Sequence, residues 1–194
     1  MFFFALLCLA SASTCPGSSA WVHAKCDMSI TFTESCETVQ NEINGRLLGT
    51  NGWIDRKSKP GLLFFFSFVY LMACCLVFIL EYLFTFFFVI YVCSGHYHLV
   101  SSKNGTETQG TRSTGDGKYT DKFTFSFSAS EDGCVVEGCS ESQVTSVADY
   151  STNFCNLYNL YCNTDDKCPI VYTDLTHSEK YTSCSQNDIS QCTR

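Results

Sequence analysis

The segment Lys122-Phe-Thr-Phe-Ser-Phe-Ser128 decides the fold class, because it is the clearest β-strand pattern in the chain. Phe123, Phe125 and Phe127 fall on one face of an extended strand, and threonine and serine alternate with them on the other. A strand with one aromatic face needs an apolar partner to cover that face. The segment therefore predicts a sheet with one buried side and one polar side.

A helix upstream of this strand supplies the predicted partner. Its apolar residues recur at spacings of three, four and four, at Cys36, Val39, Ile43 and Leu47. Thr33 or Ser35 can cap its start, and Gly49 is placed to end it. We therefore predict an α+β fold with one helix packed on an antiparallel β-meander, an architecture shared by cystatin-like folds.

Three further strands complete the predicted meander. They cover Cys26 to Phe32, His96 to Ser102 and Thr106 to Thr114. Asn104-Gly105 between the last two is a hairpin signal, and Asn104-Gly105-Thr106 is also an N-glycosylation sequon. A sequon in a turn is accessible to glycosylation, so we predict a glycan on Asn104.

Cysteines indicate an oxidising compartment, since the chain has 14 of them in 194 residues. The region after residue 133 has poor hydrophobic periodicity, and disulfides substitute for a core there. The predicted disulfide-forming residues are Cys26, Cys36, Cys134, Cys139, Cys155, Cys162, Cys168, Cys184 and Cys192. Nine cysteines cannot all pair among themselves, so either Cys93 pairs with one of them or one thiol stays free. The sequence leaves the connectivity open. No pair has the C-x2-C spacing of zinc sites, so we expect no metal and no cofactor.

The first 24 residues are predicted to be a signal peptide. Met1 to Ala10 is apolar and small residues follow it, as in secretory signals. Cleavage after Ala12 or after Ala24 satisfies the small-residue rule, and the second site is the one we prefer.

A long hydrophobic segment interrupts the predicted domain at residues 61–94. The stretch from Leu62 to Leu80 contains no charged residue. As a helix with a rise of ~1.5 Å per residue it would be ~28 Å long, close to the thickness of a bilayer's hydrocarbon core. We therefore predict a long apolar helix that crosses a membrane within residues 62–92. The alternative is translation of a retained pyrimidine-rich intron, since the segment is rich in Phe. The protein is then secreted.

The hydrophobic segment divides the predicted domain into two parts. We expect residues 25–60 to form the N-terminal strand and helix, and residues 95–194 to form a cysteine-rich β domain.

Charge and motifs limit the function. Twelve Lys and Arg against 19 Asp and Glu give a net charge of -7, so no basic surface for nucleic acid is expected. Catalytic motifs are absent from the sequence, so we expect no catalytic residues. The sequence favours a non-enzymatic extracytoplasmic binding module, with a small secreted hydrolase as the alternative. Its partner is a protein, a glycan or a small apolar ligand, contacted by the polar sheet face and by Tyr150, Tyr158 and Tyr161.

Three sequence blocks resemble those of an uncharacterised family of small secreted cysteine-rich proteins. They begin at Gly115 (GDGKYTDK), Gly138 (GCSESQ) and Asp149 (DYSTNFCNLYNLYC). The similarity covers residues 21–48 and about 96–192. It implies a secretory compartment and the extent of the domain, and no activity is assigned to the family. Members connect the first helix to the sheet by a short linker, which implies that residues 61–94 are an insertion.

Overall fold

The computed structural model describes residues 15–56, 96–114 and 117–193. Its strands are β1 (Lys25–Phe32), β2 (Tyr97–Lys103), β3 (Glu107–Ser113), β4 (Thr120–Ser130), β5 (Gly133–Ser142) and β6 (His177–Cys184), and its helices are α1 (Cys36–Leu47) and α2 (Thr152–Tyr158). All six strands join one antiparallel sheet in the order β2-β3-β4-β5-β1-β6.

Strand β4 and helix α1 pack together as the sequence predicts. The three phenylalanines of β4 are buried in the same core cluster as Val39, Ile43 and Leu47. Ser35 is the N-cap of α1, since its hydroxyl accepts a hydrogen bond from the Thr38 backbone N–H. The chain leaves the helix through Gly49, whose φ of 63° lies in the left-handed region.

The predicted fold is wrong in its long apolar helix. Helix α1 has 12 residues and α2 has 7, and no helix in the described ranges is long and apolar enough to cross a membrane. The segment predicted to form that helix, residues 62–92, lies outside the described residues. The prediction of one helix packed on the sheet is also corrected, because α2 packs on the sheet as well as α1.

Strand β1 lies inside the sheet, between β5 and β6. Cys26 is in register with Ser140 of β5 on one side and with Cys184 of β6 on the other. The residues before position 57 and those after position 95 therefore build one sheet.

Five disulfides connect the elements within the described residues. They join Cys15 to Cys139, Cys26 to Cys184, Cys36 to Cys134, Cys155 to Cys192 and Cys162 to Cys168. Four of the five close loops of 37 to 158 residues, so each ties together segments that are distant in the chain. Cys15 is the tenth cysteine of these pairs, so all nine predicted cysteines are bonded. Cys93 lies outside the described residues.

Residues 15–24 lie against the polar face of the sheet at β5. Besides the disulfide from Cys15, the His23 Nε2 atom lies 3.0 Å from a carboxylate oxygen of Glu141, and the Gly17 backbone N–H donates to the same side chain. The Ser142 N–H donates to the Ala24 carbonyl at 3.0 Å. This N-terminal segment is thus an integrated part of the folded domain.

Candidate functional site

The three tyrosines predicted to form a contact face do not form one. Tyr150 is 71% exposed, whereas Tyr158 and Tyr161 are 2% and 0% exposed. Tyr158 stacks on Phe154 with ring centroids 5.3 Å apart. The Tyr161 hydroxyl donates to Glu179 at 2.5 Å, and burial together with this carboxylate raises the pKa of Tyr161. Tyr158 and Tyr161 are therefore core residues, and only Tyr150 remains a contact candidate.

Tyr150 is one of four exposed apolar residues on two neighbouring segments, which we call the Trp21 patch and define by Trp21, Val22, Val147 and Tyr150. Trp21 is 98% exposed and Val147 is 87% exposed. The Ser146 N–H donates to the Val22 carbonyl at 3.1 Å, which places the N-terminal segment beside the loop that follows β5. Sequence reasoning missed Trp21, because it assigned this residue to the signal peptide.

Backbone strain accompanies the exposure of Tyr150. Tyr150 and Ser151 have φ values of 50° and 60°, in a region that side-chain-bearing residues rarely adopt. The surrounding contacts hold this conformation: the Ser151 hydroxyl accepts from the Asp188 N–H at 2.9 Å, and Asp149 accepts from the Asn153 N–H. Such strain persists only where neighbouring structure over-determines it, and it clusters at functional sites.

Helix α2 and its C-cap residue carry a row of three buried asparagines, each bonded to a buried aspartate. Asn153, Asn156 and Asn159 recur every three residues. Their amide groups donate, in that order and at 2.8, 2.7 and 3.2 Å, to Asp149, Asp121 and Asp55. Serines of β5 extend the network, since Ser142 donates to Asp121 and Ser140 donates to Asn153, both at 2.7 Å. The network fastens α2 to the sheet.

A buried ion pair completes this network. Arg112 of β3 donates to Asp55 at 2.7 and 3.0 Å, and a third nitrogen of Arg112 lies 3.3 Å from the Asn156 amide oxygen. The Tyr97 hydroxyl donates to the Asn156 carbonyl at 3.0 Å. These acids are bonded to asparagine, serine and arginine, so the network satisfies its buried polar groups and holds the helix, the strands and the segment of Asp55 together.

A groove of about 540 Å³ lies on the outer side of α1. Its lining residues are Thr38, Asn41, Asn44, Gly45, Leu48, Tyr172 and Thr173. All seven are neutral at physiological pH, so the lining provides hydroxyls, amides, one aliphatic side chain and one aromatic ring. It contains no acid and base pair.

Glu42 fixes the loop that forms one wall of this groove. Its carboxylate accepts three consecutive backbone N–H groups, from Val171, Tyr172 and Thr173, at 2.9, 2.6 and 2.9 Å. It also accepts from the buried Arg46 at 2.8 Å. Burial acts to raise the pKa of Glu42, but the three backbone bonds and Arg46 outweigh burial and lower it. The i,i+4 spacing of Glu42 and Arg46 in the sequence indicates the ion pair, but nothing in the sequence indicates the bonds from Glu42 to the loop.

Asn104 lies exposed in the turn between β2 and β3. The turn is held from its buried side by Gln40 of α1, which donates to the Lys103 carbonyl at 3.0 Å and accepts from the Gly105 N–H at 2.6 Å. Its exposure is compatible with the predicted glycan.

One group of three side chains has the proximity of metal ligands, namely Cys15, Asp27 and Cys139. The two cysteines are joined by a disulfide, so their sulfurs are not available as thiolates. Asp27 alone does not make a metal centre.

Fold and site together define a cysteine-rich, disulfide-stabilised α+β domain of the kind found outside the cytoplasm, because five disulfides persist only where thiols are oxidised. Comparison with protein-family models, with curated proteins and with solved structures finds no match to this chain.

Proposed function

We propose that this protein is a secreted binding module whose Trp21 patch binds another protein. The observation that carries the proposal is the near-complete exposure of Trp21 and Val147, with Tyr150 also exposed, on backbone that a disulfide and hydrogen bonds hold in place. We also propose membership of the uncharacterised family of small secreted cysteine-rich proteins that the sequence resembles.

Composition and rigidity support a protein partner. Tryptophan and tyrosine combine a large apolar area with a polar tip, and they are enriched among residues that dominate protein interfaces. The disulfide from Cys15 to Cys139 anchors the segment that carries Trp21. The hydrogen bonds of Asp149 and Ser151 fix the backbone of Tyr150. A backbone that is ordered before binding loses less entropy when a partner binds, which favours binding to a small patch.

The hydrolase alternative gains no support from the groove on α1, whose lining has no acid and base pair. The buried acids of the asparagine network are bonded to structural partners. The binding function is therefore the one that the geometry favours.

A binding assay on the source organism's own extracellular surface tests the proposal. The labelled protein should bind saturably, and the double variant Trp21→Ser, Tyr150→Ser should bind at least about tenfold more weakly, a loss of about 1.4 kcal/mol. The matched control is Tyr119→Ser with Val100→Ser, two exposed residues outside the patch. The proposal would be contradicted if the patch variant bound as tightly as the wild type while thermal unfolding showed that both are folded.

A further inference from the structure

We propose a second binding site, independent of the Trp21 patch, in which the groove on α1 binds a neutral oligosaccharide with one sugar ring lying on Tyr172. Three observations carry the proposal: the placement of the Tyr172 ring, the rigidity of its loop, and the chemistry of the lining.

Tyr172 presents an exposed ring against the helix backbone. A Cβ atom added at Gly45 would lie 2.6 Å from the Tyr172 Cε2 atom, so the ring occupies space that any side chain at position 45 would fill. The residue is nevertheless 59% exposed. One part of the ring thus rests on α1 while another part faces solvent, which is the arrangement of a stacking platform.

The loop that carries this ring is held in advance of any ligand. Three consecutive N–H groups, including that of Tyr172, donate to the buried Glu42 carboxylate, and Arg46 neutralises that carboxylate. Asn51 adds a bond from its amide to the Val171 carbonyl at 3.2 Å. A preorganised platform spares the ordering cost that otherwise weakens binding to a shallow site.

The lining has the functional groups that recognise a sugar. Sugars combine apolar C–H faces with hydroxyls that both donate and accept, and the groove offers an aromatic ring and Leu48 beside the hydroxyls of Thr38 and Thr173. Asn41 adds an exposed amide, whereas the amide of Asn44 is already bonded to Ser102 and Thr108, each at 3.0 Å, and fixes this side of the groove on the sheet. No basic side chain lines the groove and the protein has a net charge of -7, so an anionic ligand is disfavoured.

The experiment is a titration of the 15N-labelled protein with triacetylchitotriose and, separately, with maltotriose, each up to about 10 mM, a range that covers a Kd near 1 mM. We expect at least one trisaccharide to shift the amide signals of residues 38–48 and 171–173. Tyr172→Ala should weaken that binding at least about tenfold, and Tyr172→Phe should keep it within about threefold, because the ring and not the hydroxyl forms the platform.

The control variant is Tyr119→Ala, which removes an exposed tyrosine that does not line the groove. It should bind like the wild type. The proposal is overturned if neither trisaccharide shifts the groove signals, if the shifts fall elsewhere, or if Tyr172→Ala binds as tightly as the wild type while its spectrum remains that of a folded protein. Because the Trp21 patch is unchanged in these variants, failure here leaves the protein-binding proposal to its own assay.

Discussion

At the scale of single residues, Glu42 is a buried acid whose contacts depend on its charge. One buried carboxylate bonds the backbone of a loop about 130 residues away in sequence and pairs with a buried arginine. Removing one partner of such a pair leaves the other charged and buried, which typically costs about 3 to 5 kcal/mol. A single substitution in this pair should therefore lower the free energy of unfolding strongly.

We expect Glu42→Gln to lower the free energy of unfolding by about 3 kcal/mol at pH 7. The pKa of Glu42 is lowered in the folded protein, so the stability that its charge contributes is present above the ordinary glutamate pKa of 4.5 and is lost as the pH falls through the lowered pKa. The difference between the wild type and the variant should then shrink below pH 4.5. Urea unfolding at pH 7 and near pH 3 measures both differences.

The control for this prediction is Glu37→Gln, in the first turn of the same helix and exposed. It should change stability by only a few tenths of a kcal/mol, through the helix dipole. A cost of Glu42→Gln that is equal at the two pH values would contradict the role given to the charge.

Tyr158 and Tyr161 show where residue-level prediction from sequence fails. Their spacing from Phe154 allows a helical aromatic stack, but it does not reveal which side of the helix is buried. Helix α2 is covered on nearly every side, and even its asparagines are buried because aspartates and serines from other segments bond them. Those partners are distant in sequence, so the polarity of Asn153 or Asn156 is a misleading sign of exposure.

At the scale of elements, strand alternation and helical spacing predict those strands and helices that bury one apolar face. Strand β4 and helix α1 each bury a single apolar face, so their patterns are readable. Strands β5 and β6 were missed for opposite reasons. One end of β5 is buried on both faces, from Gly138 to Ser142, and β6 is a polar edge strand without an apolar face.

The connection between α1 and β2 permits a second prediction. The chain on either side of residues 57–95 comes together, since the rings of Trp53 and Tyr97 have centroids 6.0 Å apart and Asp55 pairs with Arg112, the register partner of Tyr97. A linker of a few residues is long enough to join such neighbours. A chain lacking residues 61–94 should therefore form the same five disulfides.

The measurement is expression of the deleted chain in the secretory pathway, followed by disulfide mapping and thermal unfolding. A matched control deletes Trp53 to Asp55 as well, which removes the buried ring and the carboxylate and should prevent folding. Misfolding of the first deletion, with a well-folded full-length chain, would show that residues 61–94 are required by the architecture.

At the scale of the whole molecule, the disulfides reinforce contacts that the sheet and the core also make. A closed loop of 15 to 100 residues contributes roughly 3 to 5 kcal/mol through the unfolded state, which is large against the ordinary stability of a domain. The bond from Cys15 to Cys139 extends this reinforcement to residues 15–24, where the Trp21 patch begins. The sequence predicted the oxidising chemistry but not the pairing, since connectivity depends on the sheet order, and the preferred cleavage after Ala24 left Cys15 uncounted.

Peptide mapping of the secreted protein by mass spectrometry, without reduction, tests whether disulfides anchor the N-terminal segment. We predict five linked pairs, with Cys15 joined to Cys139, and a mature N-terminus upstream of Cys15, such as cleavage after Ala12 would leave. A secreted chain that begins at Lys25 with a free thiol on Cys139, or a chain in which the ten cysteines of these pairs are all reduced, would contradict a disulfide-anchored binding surface outside the cytoplasm.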